Sequence, residues 1–178
     1  YEYQKDKLLH SDSNHNFRKY FSNLLPSLSF AYQCSNNMSM ELSYDMNVSR
    51  PNISVLDPYV DYTTPLQLTY GNTDLKPENI HTIDFTINQR IKRYTLITSL
   101  TYATTDRLIL NYQYTDKSIL HNTTGNIGKK NDLMLYNSLS GRLSRNVYAR
   151  LMQSISYVDY SAPKIDCKQH GWIYFVKG

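Results

Sequence analysis

The sequence lacks any apolar run long enough to form a transmembrane helix. Its apolar runs, such as Leu8-Leu9 and Ile109-Leu110, span only a few residues, whereas a membrane-spanning helix needs about 20. Glycine is too scarce, at 6 of 178 residues, for a collagen-like chain or a flexible linker. Aromatic residues make up 13% of the chain, which excludes ordinary intrinsic disorder, because disordered segments are poor in aromatics.

The charges and cysteines point to no particular partner. The chain has 19 Lys+Arg and 15 Asp+Glu, and the basic residues are scattered instead of forming the stripe typical of nucleic-acid binding. We therefore predict no nucleic-acid partner. Cys34 and Cys167 fit no metal-ligand spacing and permit one disulfide without arguing for it. The chain starts without an initiating Met or an apolar signal-peptide core, so we expect a piece of a longer protein.

No residue cluster predicts catalysis or metal binding. Ser39 and Ser43 have no partnered base nearby in the sequence, and the segment Gly125-Asn126-Ile127-Gly128 is too short for a phosphate loop. The histidines show no i,i+2 or i,i+4 pairs. We accordingly predict that the chain is not an enzyme and holds no catalytic residues, metal or cofactor. These histidines are His10, His15, His81, His121 and His170.

Strict alternation of apolar and polar residues is the strongest signal in the sequence. Between Met38 and Ser49 every second residue is apolar, and the residues between them are polar, which predicts a β-strand with one apolar and one polar face. Similar patterns predict strands near 24–34, 38–49, 78–90, 94–104, 107–121, 132–144, 147–160 and 170–176. Short turns are expected near 35–37, 91–93 and 145–146, and long loops at 50–77, 105–125 and 161–169, with room for an extra hairpin near 114–117.

Two architectures fit this alternation, a soluble antiparallel β-sandwich and part of a transmembrane β-barrel. The predicted strands of about 11–14 residues exceed the usual length of about 5–6 in soluble proteins and suit a tilted barrel strand. Short turns at one end and long loops at the other are typical of outer-membrane barrels, and the 17 tyrosines suit membrane interfaces. We predict an all-β, antiparallel up-and-down transmembrane β-barrel segment, in which residues 1–178 form a partial barrel domain of about seven or eight strands.

Two blocks of the long loop carry a family resemblance. The first is Arg50-Pro51 followed by Leu56-Asp57-Pro58-Tyr59, and the second is Gly71-Asn72-Thr73-Asp74-Leu75-Lys76-Pro77-Glu78. Together with the segments Leu24–Leu28 and Gly125–Lys130, they resemble the barrel region of TonB-dependent outer-membrane receptors. The closest likeness is to the outer-membrane β-barrel family abundant in Bacteroidetes. Three positions depart from that pattern: Thr73 replaces a Pro, Asp57 replaces an Asn, and Met46 replaces a basic residue.

The resemblance implies a function, a location and partners. It implies part of a TonB-dependent receptor for nutrient uptake in the bacterial outer membrane, supplying barrel wall and extracellular loops. Its partners would be membrane lipid, a nutrient ligand of unknown identity, and TonB through parts outside this chain. Two alternatives stay open: a passive or structural barrel without a plug domain, and a soluble β-sandwich module that binds glycans.

The candidate functional residues fall into three groups. The motif residues are predicted to shape the loop, because Pro51 ends strand pairing, Gly71-Asn72 favours a tight turn with positive φ, and Pro77 keeps its predecessor extended. Aromatic side chains in the loop are candidates for contact with the ligand or the loop, and charged residues on polar strand faces are candidates for the barrel lumen. The groups are Arg50, Pro51, Gly71, Asn72, Leu75, Lys76, Pro77 and Glu78; Tyr59, Tyr62 and Tyr70; and Glu41, Asp45, Arg142 and Arg150.

Overall fold

The computed structural model describes residues 2–12, 15–64 and 66–178, with side chains from residue 21 onward. Nearly all of these residues lie in strands. One short α-helix, α1 (Ile53–Leu56), and one 3-10 turn (Pro163–Ile165) interrupt them. The strands are β1 (Glu2–Asp12), β2 (His15–Leu25), β3 (Ser27–Ser35), β4 (Met38–Ser49), β5 (Val60–Asp61), β6 (Gln67–Tyr70), β7 (Glu78–Ile91), β8 (Tyr94–Asp116), β9 (Ile119–Arg142), β10 (Tyr148–Ala162) and β11 (Cys167–Lys177).

The long strands form one antiparallel up-and-down sheet in the order β3-β4-β7-β8-β9-β10-β11. Each long strand pairs with the next one along this path, and β1 pairs with β2 in a separate hairpin. The sheet is open, since its path ends on β3 and β11. This is the predicted fold class. No helix of the described residues has the length and apolar character needed to cross a membrane.

One face of the sheet is apolar and uncovered. The strand registers align a continuous row, Leu42–Phe85–Leu100–Leu135–Ile155, across five strands. Leu100 remains 46% exposed and Leu135 38% exposed, and the described residues supply no second layer to pack on them. A soluble sandwich would bury such a row in its core, so the sandwich alternative is wrong, and lipid is the medium that suits this face.

The opposite face is polar and satisfies its own hydrogen bonds. The Asp84 carboxylate accepts hydrogen bonds from the hydroxyls of Thr86 (2.7 Å), Ser99 (2.7 Å) and Thr101 (2.6 Å). These residues belong to neighbouring strands and share one face by register. A hydroxyl-lined carboxylate of this kind suits the wet interior of a barrel and needs no separate catalytic role.

Tyrosines mark the two edges of the apolar band. Tyr94 and Tyr102 lie eight residues apart on the apolar face of β8, which corresponds to about 27 Å along a strand. With a strand tilt of about 40° the rise is about 20 Å, close to the apolar band of about 25 Å in outer-membrane barrels. The two phenols therefore have the spacing expected of aromatic girdles at the two interfaces.

The connections differ between the two ends of the sheet. At the turn end they comprise residues 36–37, 92–93 and 143–147, and at the loop end residues 50–77, 117–118 and 163–166. The loop expected at 161–169 is shorter in the structure, because β10 continues to Ala162 and β11 begins at Cys167. Cys34 is exposed, Cys167 is half-buried, and both are free thiols.

The loop expected at 105–125, with a single strand at 107–121, is instead the upper part of β8 and β9. The two strands stay paired to Asp116 and Ile119 and are joined by Lys117 and Ser118 alone. A register shift between Thr105 and Ile109 marks the point where this ribbon leaves the sheet. Alternation marks the β8 half of the ribbon, where Leu108, Leu110, Tyr112 and Tyr114 share one face, and is absent from the β9 half, where polar side chains lie on both faces. We refer to residues 106–128 as the β8–β9 ribbon.

The ribbon's turn carries avoidable backbone strain. Lys117 and Ser118 have φ values of 46° and 66°, the pattern of a type I′ turn, which favours Asn-Gly. We expect the double substitution Lys117→Asn/Ser118→Gly to stabilise the ribbon by about 1 kcal/mol, because side chains other than Asn and Gly disfavour this region. Amide hydrogen exchange across 112–122 should slow about fivefold. The control Asn36→Gly, in a turn without positive φ, should give no stabilisation, and equal gains at both turns would contradict the argument.

Candidate ligand site at the loop end

The loop between β4 and β7 folds into an ordered lobe, which we call the 50–77 lobe. Asn52 caps α1 by accepting a hydrogen bond from the Ser54 amide (3.2 Å). Strands β5 and β6 pair with each other, and β6 also pairs in parallel with β9 from Gln67↔Leu120 to Thr69↔Asn122. The lobe thereby occupies the edge of β9 beyond the point where β10 stops pairing.

The lobe has a small apolar core made by motif residues. Leu56 is fully buried and Leu75 nearly so, and Pro51 and Pro77 are also buried. Arg50 directly precedes Pro51 at the end of β4. The most completely buried side chains of the described residues therefore lie in this lobe and not in the sheet, so the lobe packs as a structured unit.

Gly71 is required by a close backbone approach and not by positive φ. The Gly71 amide donates to the Asp57 carbonyl (3.0 Å) and the Asn72 amide to the Val55 carbonyl (2.7 Å). A Cβ atom on Gly71 would lie 2.4 Å from the Asp57 oxygen and 2.7 Å from the Val55 oxygen. Neither Gly71 nor Asn72 has positive φ, so the positive φ expected from the sequence is wrong.

The lobe is fastened to the ribbon by a reciprocal pair of hydrogen bonds. The Lys76 amide donates to Asn126 Oδ1 (2.8 Å), and Asn126 Nδ2 donates back to the Lys76 carbonyl (2.9 Å) and to the Arg107 carbonyl (2.7 Å). Asn72 Nδ2 adds a bond to the Thr124 carbonyl (2.9 Å). The two motif segments, about 50 residues apart in sequence, therefore bind each other directly.

A carboxylate completes this attachment. Glu78 Oε1 accepts a hydrogen bond from the Ile109 amide (2.7 Å), next to the register shift where the ribbon leaves the sheet. The side chain of Glu78 thereby satisfies a backbone amide at an irregular point of the strand.

Asn126 should be sensitive to substitution. We expect Asn126→Ala to remove three hydrogen bonds and to destabilise the lobe–ribbon contact by about 2 kcal/mol, because each bond contributes about 0.5–1.5 kcal/mol. Asn126→Asp should be at least as harmful, since a carboxylate cannot donate to the carbonyls of Lys76 and Arg107. Hydrogen exchange at the Lys76 amide measures the effect in the full-length protein. Asn36→Ala, in a turn at the opposite end, should leave that amide unchanged; protection retained in Asn126→Ala would refute the role.

The lobe, the ribbon and the 3-10 turn line an open cavity of about 560 Å³. Its lining is made of amide, hydroxyl and aromatic side chains, with a single aliphatic residue from the 3-10 turn. The lining residues are Thr69, Tyr70, Asn111, Tyr112, Gln113, Asn122, Thr123, Thr124 and Ile165. We refer to this space as the loop-end cavity.

A cluster of three rings lies at the edge of the loop-end cavity. The Tyr70 hydroxyl lies 2.8 Å from the Tyr114 hydroxyl and 3.3 Å from His121 Nδ1. Tyr114 and His121 stack with centroids 4.8 Å apart and an interplanar angle of 11°. The hydrogen bond with Tyr114, aided by burial, raises the pKa of Tyr70 to about 12, so this phenol stays neutral at physiological pH.

The 3-10 turn places a lysine against one of the cavity's tyrosines. Lys164 Nζ donates to the Tyr112 hydroxyl (3.0 Å) and lies 4.4 Å from the centroid of its ring, within range of a cation–π interaction. Its neighbour Ile165 lines the cavity. Among the described residues, no group of three His, Cys, Asp or Glu is arranged to hold a metal ion.

The structure separates the sequence-predicted aromatic candidates. Tyr70 lines the loop-end cavity, whereas Tyr59 and Tyr62 are exposed and absent from its lining. Sequence reasoning missed Tyr112 and Asn122 as cavity residues, because the pattern of a single strand does not show which loop packs beside it. The signal that was available is the concentration of Asn, Gln, Thr and Tyr within 111–124.

The four charged candidates lie on the polar face of the sheet, away from the cavity. Asp45 accepts a hydrogen bond from the Ser27 hydroxyl (2.5 Å), and Glu41 is exposed on the same face of β4. Arg142 and Arg150 are exposed near the turn end and share a face by the register of β9 and β10. The structure does not bring these four residues together, and their lumenal role stays a prediction.

Comparisons with known proteins agree with this architecture. The profile of the family described as "Outer membrane protein beta-barrel family" matches residues 1–177. The siderophore receptor PirA from Pseudomonas aeruginosa superposes with a TM-score of 0.63 at 14% identity, over 90% of this chain and 36% of that one. The copper transporter OprC gives 0.60 at 12% identity, over 89% and 24%. The chain thus spans about a third or less of these proteins, which share its fold. No curated protein matches it.

Proposed function

The chain belongs to the outer membrane protein beta-barrel family, and from this premise we propose that it is part of a TonB-dependent receptor that takes up a nutrient. Its location is the bacterial outer membrane. The observation that carries the proposal is the ordered 50–77 lobe, fastened to the ribbon at one end of an open barrel wall. A passive pore needs no such lobe, whereas a receptor needs a preformed surface for its ligand.

In this proposal the barrel wall and the loops have different roles. The exposed apolar row through Leu100 and Leu135 would contact lipid, and the polar face around Asp84 would line the lumen. The lobe and ribbon would hold the ligand at the extracellular end. TonB would act through parts of the protein outside this chain, and we propose no enzymatic role and no cofactor. The motif from Gly71 to Glu78 supports a place in the Bacteroidetes branch.

The solved proteins with a similar fold suggest the size of the ligand. PirA is a siderophore receptor and OprC is a copper transporter. We propose a small or oligomeric nutrient for this protein as well. At 12–14% identity neither relative specifies which one.

Genetics of the full-length protein tests the proposal against a passive barrel. Strains lacking the full-length gene, lacking TonB, or lacking both are grown on media that limit one nutrient class at a time. We expect at least one medium in which loss of the gene slows growth, with the TonB deletion giving the same defect and the double deletion adding nothing. Uptake that persists without TonB would establish the passive barrel instead.

A further inference from the structure

We propose that the turn end of the apolar face holds a binding site for one anionic phospholipid. An acyl chain of the lipid lies in an apolar groove on β8, β9 and β10, and the phosphate meets the guanidinium of Arg93. The site depends on the outer-membrane location of the chain and not on its part in nutrient uptake, so either proposal can fail without the other.

The groove belongs to the apolar face of the sheet and has a volume of about 250 Å³. Its floor is formed by two small residues, Gly141 and Ala149, which pair directly between β9 and β10. Tyr94 pairs with Gly141 from β8, and its ring lies so close that a Cβ on Gly141 would be 2.5 Å from Tyr94 Cδ1. The small side chains leave a depression beside this ring, which we call the turn-end groove. The leucines of its lining are Leu139, Leu143 and Leu151.

The turn-end groove suits an acyl chain. Leu139 stands four residues from Leu135 on β9 and so shares the face of the apolar row. Leu139, Leu143 and Leu151 are 43%, 54% and 51% exposed, and the described residues supply no layer that covers them. In an outer-membrane barrel this face meets lipid, and methylene groups gain most from filling an apolar depression.

A guanidinium stands at the tyrosine border of the groove. The guanidinium carbon of Arg93 lies 5.4 Å from the centroid of the Tyr94 ring, within range of a cation–π interaction, and Arg93 Nε donates to the Tyr94 hydroxyl (3.3 Å). These contacts leave the two terminal amino groups for a ligand, and guanidinium groups bind phosphate oxygens in a bidentate way. Because aromatic girdles mark the membrane interfaces of outer-membrane barrels, Arg93 lies at the depth of the lipid headgroups.

The charge at the turn end is of one sign. Residues 85–105 and 133–158, which include the turns at 92–93 and 143–147, contain six basic residues and no Asp or Glu. They are Arg90, Lys92, Arg93, Arg142, Arg145 and Arg150. At the loop end, by contrast, Lys129 and Lys130 are paired with the carboxylates of Asp106 (3.1 Å) and Asp132 (3.4 Å). The turn end therefore carries a local excess of positive charge that the loop end lacks.

This excess selects the headgroup. A Lys or Arg next to a membrane surface raises the affinity for anionic lipid about fivefold, and the attraction extends over a Debye length of about 8–10 Å. Lys92, Arg93 and Arg145 lie in the turns themselves. A zwitterionic headgroup has no net charge and gains little from them. Since the short turns of outer-membrane barrels face the periplasm, the lipid belongs to the periplasmic leaflet.

Lipid binding to the full-length protein in detergent tests the headgroup. The probes are dioleoyl phosphatidylglycerol, dioleoyl phosphatidylcholine and inorganic phosphate, and native mass spectrometry counts the lipid molecules that stay bound. Both lipids have the same acyl chains, so a difference between them reports on the headgroup. We expect one phosphatidylglycerol to bind at least about fivefold more tightly than phosphatidylcholine and to stay bound in inorganic phosphate. Equal binding of the two lipids, or displacement by inorganic phosphate, would overturn the proposal.

Arg93→Gln tests the contact with the phosphate. The substitution removes one positive charge, so the affinity for phosphatidylglycerol should fall about fivefold while the affinity for phosphatidylcholine stays unchanged. Lys168→Gln is the matched control, because it removes an exposed cation from the same face of the sheet at the loop end, and it should bind normally. Equal losses in the two variants would mean a diffuse attraction without a site, and unchanged affinity in Arg93→Gln would refute the contact.

Ala149→Leu tests the groove by filling its floor. Leucine is apolar and suits a lipid-facing position, so the free energy of unfolding should not fall. We expect both lipids to bind this site about tenfold more weakly, as when about two methylene groups lose their contacts. Gln153→Leu places the same side chain four residues along the same face of β10, outside the groove, and should bind as the wild type does. Wild-type affinity in Ala149→Leu would show that the lipid does not occupy the groove.

Discussion

We expect Gly71→Ala to break the backbone contacts that hold the two halves of the 50–77 lobe together. The new Cβ would lie 2.4, 2.7 and 2.9 Å from three backbone atoms of Asp57 and Val55, and backbone atoms cannot rotate away as a side chain would. The hydrogen bonds that Gly71 and Asn72 donate to those residues would be lost, because the two backbone segments would have to move apart. Overpacking costs about 1–3 kcal/mol and each hydrogen bond about 1 kcal/mol, so we expect a local loss of about 3 kcal/mol.

Hydrogen exchange in the full-length protein measures this loss. Peptides covering 67–78 should exchange about 100-fold faster in Gly71→Ala, since every 1.4 kcal/mol is a factor of ten. Protease should also cut the lobe in intact cells if the loop end is extracellular. Gly171→Ala is the matched control, because a Cβ there meets nothing within 4 Å. Wild-type exchange rates in Gly71→Ala would show that the lobe tolerates the displacement.

The faces of the sheet were predictable from the sequence, and the lobe was not. Alternation at Leu100 and Leu135 follows from the geometry of a single strand, so each strand carries its own signal. The attachment of Lys76 to Asn126 joins residues 50 positions apart, and no local pattern encodes such a pair. The motif around Gly71 was identifiable by resemblance, but its physical reason, a backbone approach to Val55 and Asp57, appears only in three dimensions.

The β8–β9 ribbon shows where the alternation of apolar and polar residues stops predicting a strand. Period two is detectable only when one face is apolar and the other polar. Between Ile119 and Gly128 both faces of β9 carry polar side chains, so this part of the strand forms without an alternation signal. Asn122 and Thr123, which line the loop-end cavity, belong to this part of β9 and were missed for this reason.

Arginine at Leu135 should test directly whether the apolar row faces lipid. Leu135 lies between Leu100 and Ile155 in that row, and its neighbour in sequence, Met134, lies between Thr101 and Ser156 on the polar face. A lipid-facing arginine in an outer-membrane barrel costs about 2–4 kcal/mol at the bilayer midplane and about 0–1 kcal/mol near the interfaces. Leu135 pairs with Leu100, two residues from Tyr102, and so lies between these depths. Lumenal substitutions are tolerated. We therefore expect Leu135→Arg to lower the free energy of unfolding by about 2 kcal/mol and Met134→Arg to lower it by less than about 1 kcal/mol.

Denaturant unfolding of the full-length protein in lipid vesicles gives both values under the same conditions. The two substitutions introduce the same side chain at adjacent positions of one strand, so intrinsic strand propensity and chain position cancel in the comparison. What remains is the medium on each side of the sheet. Equal losses would mean that both faces are buried in protein, and a larger loss at Met134 would reverse the assignment of lipid and lumen. A loss confined to Leu135 would identify the row through Leu42, Phe85, Leu100, Leu135 and Ile155 as the outer surface of the wall.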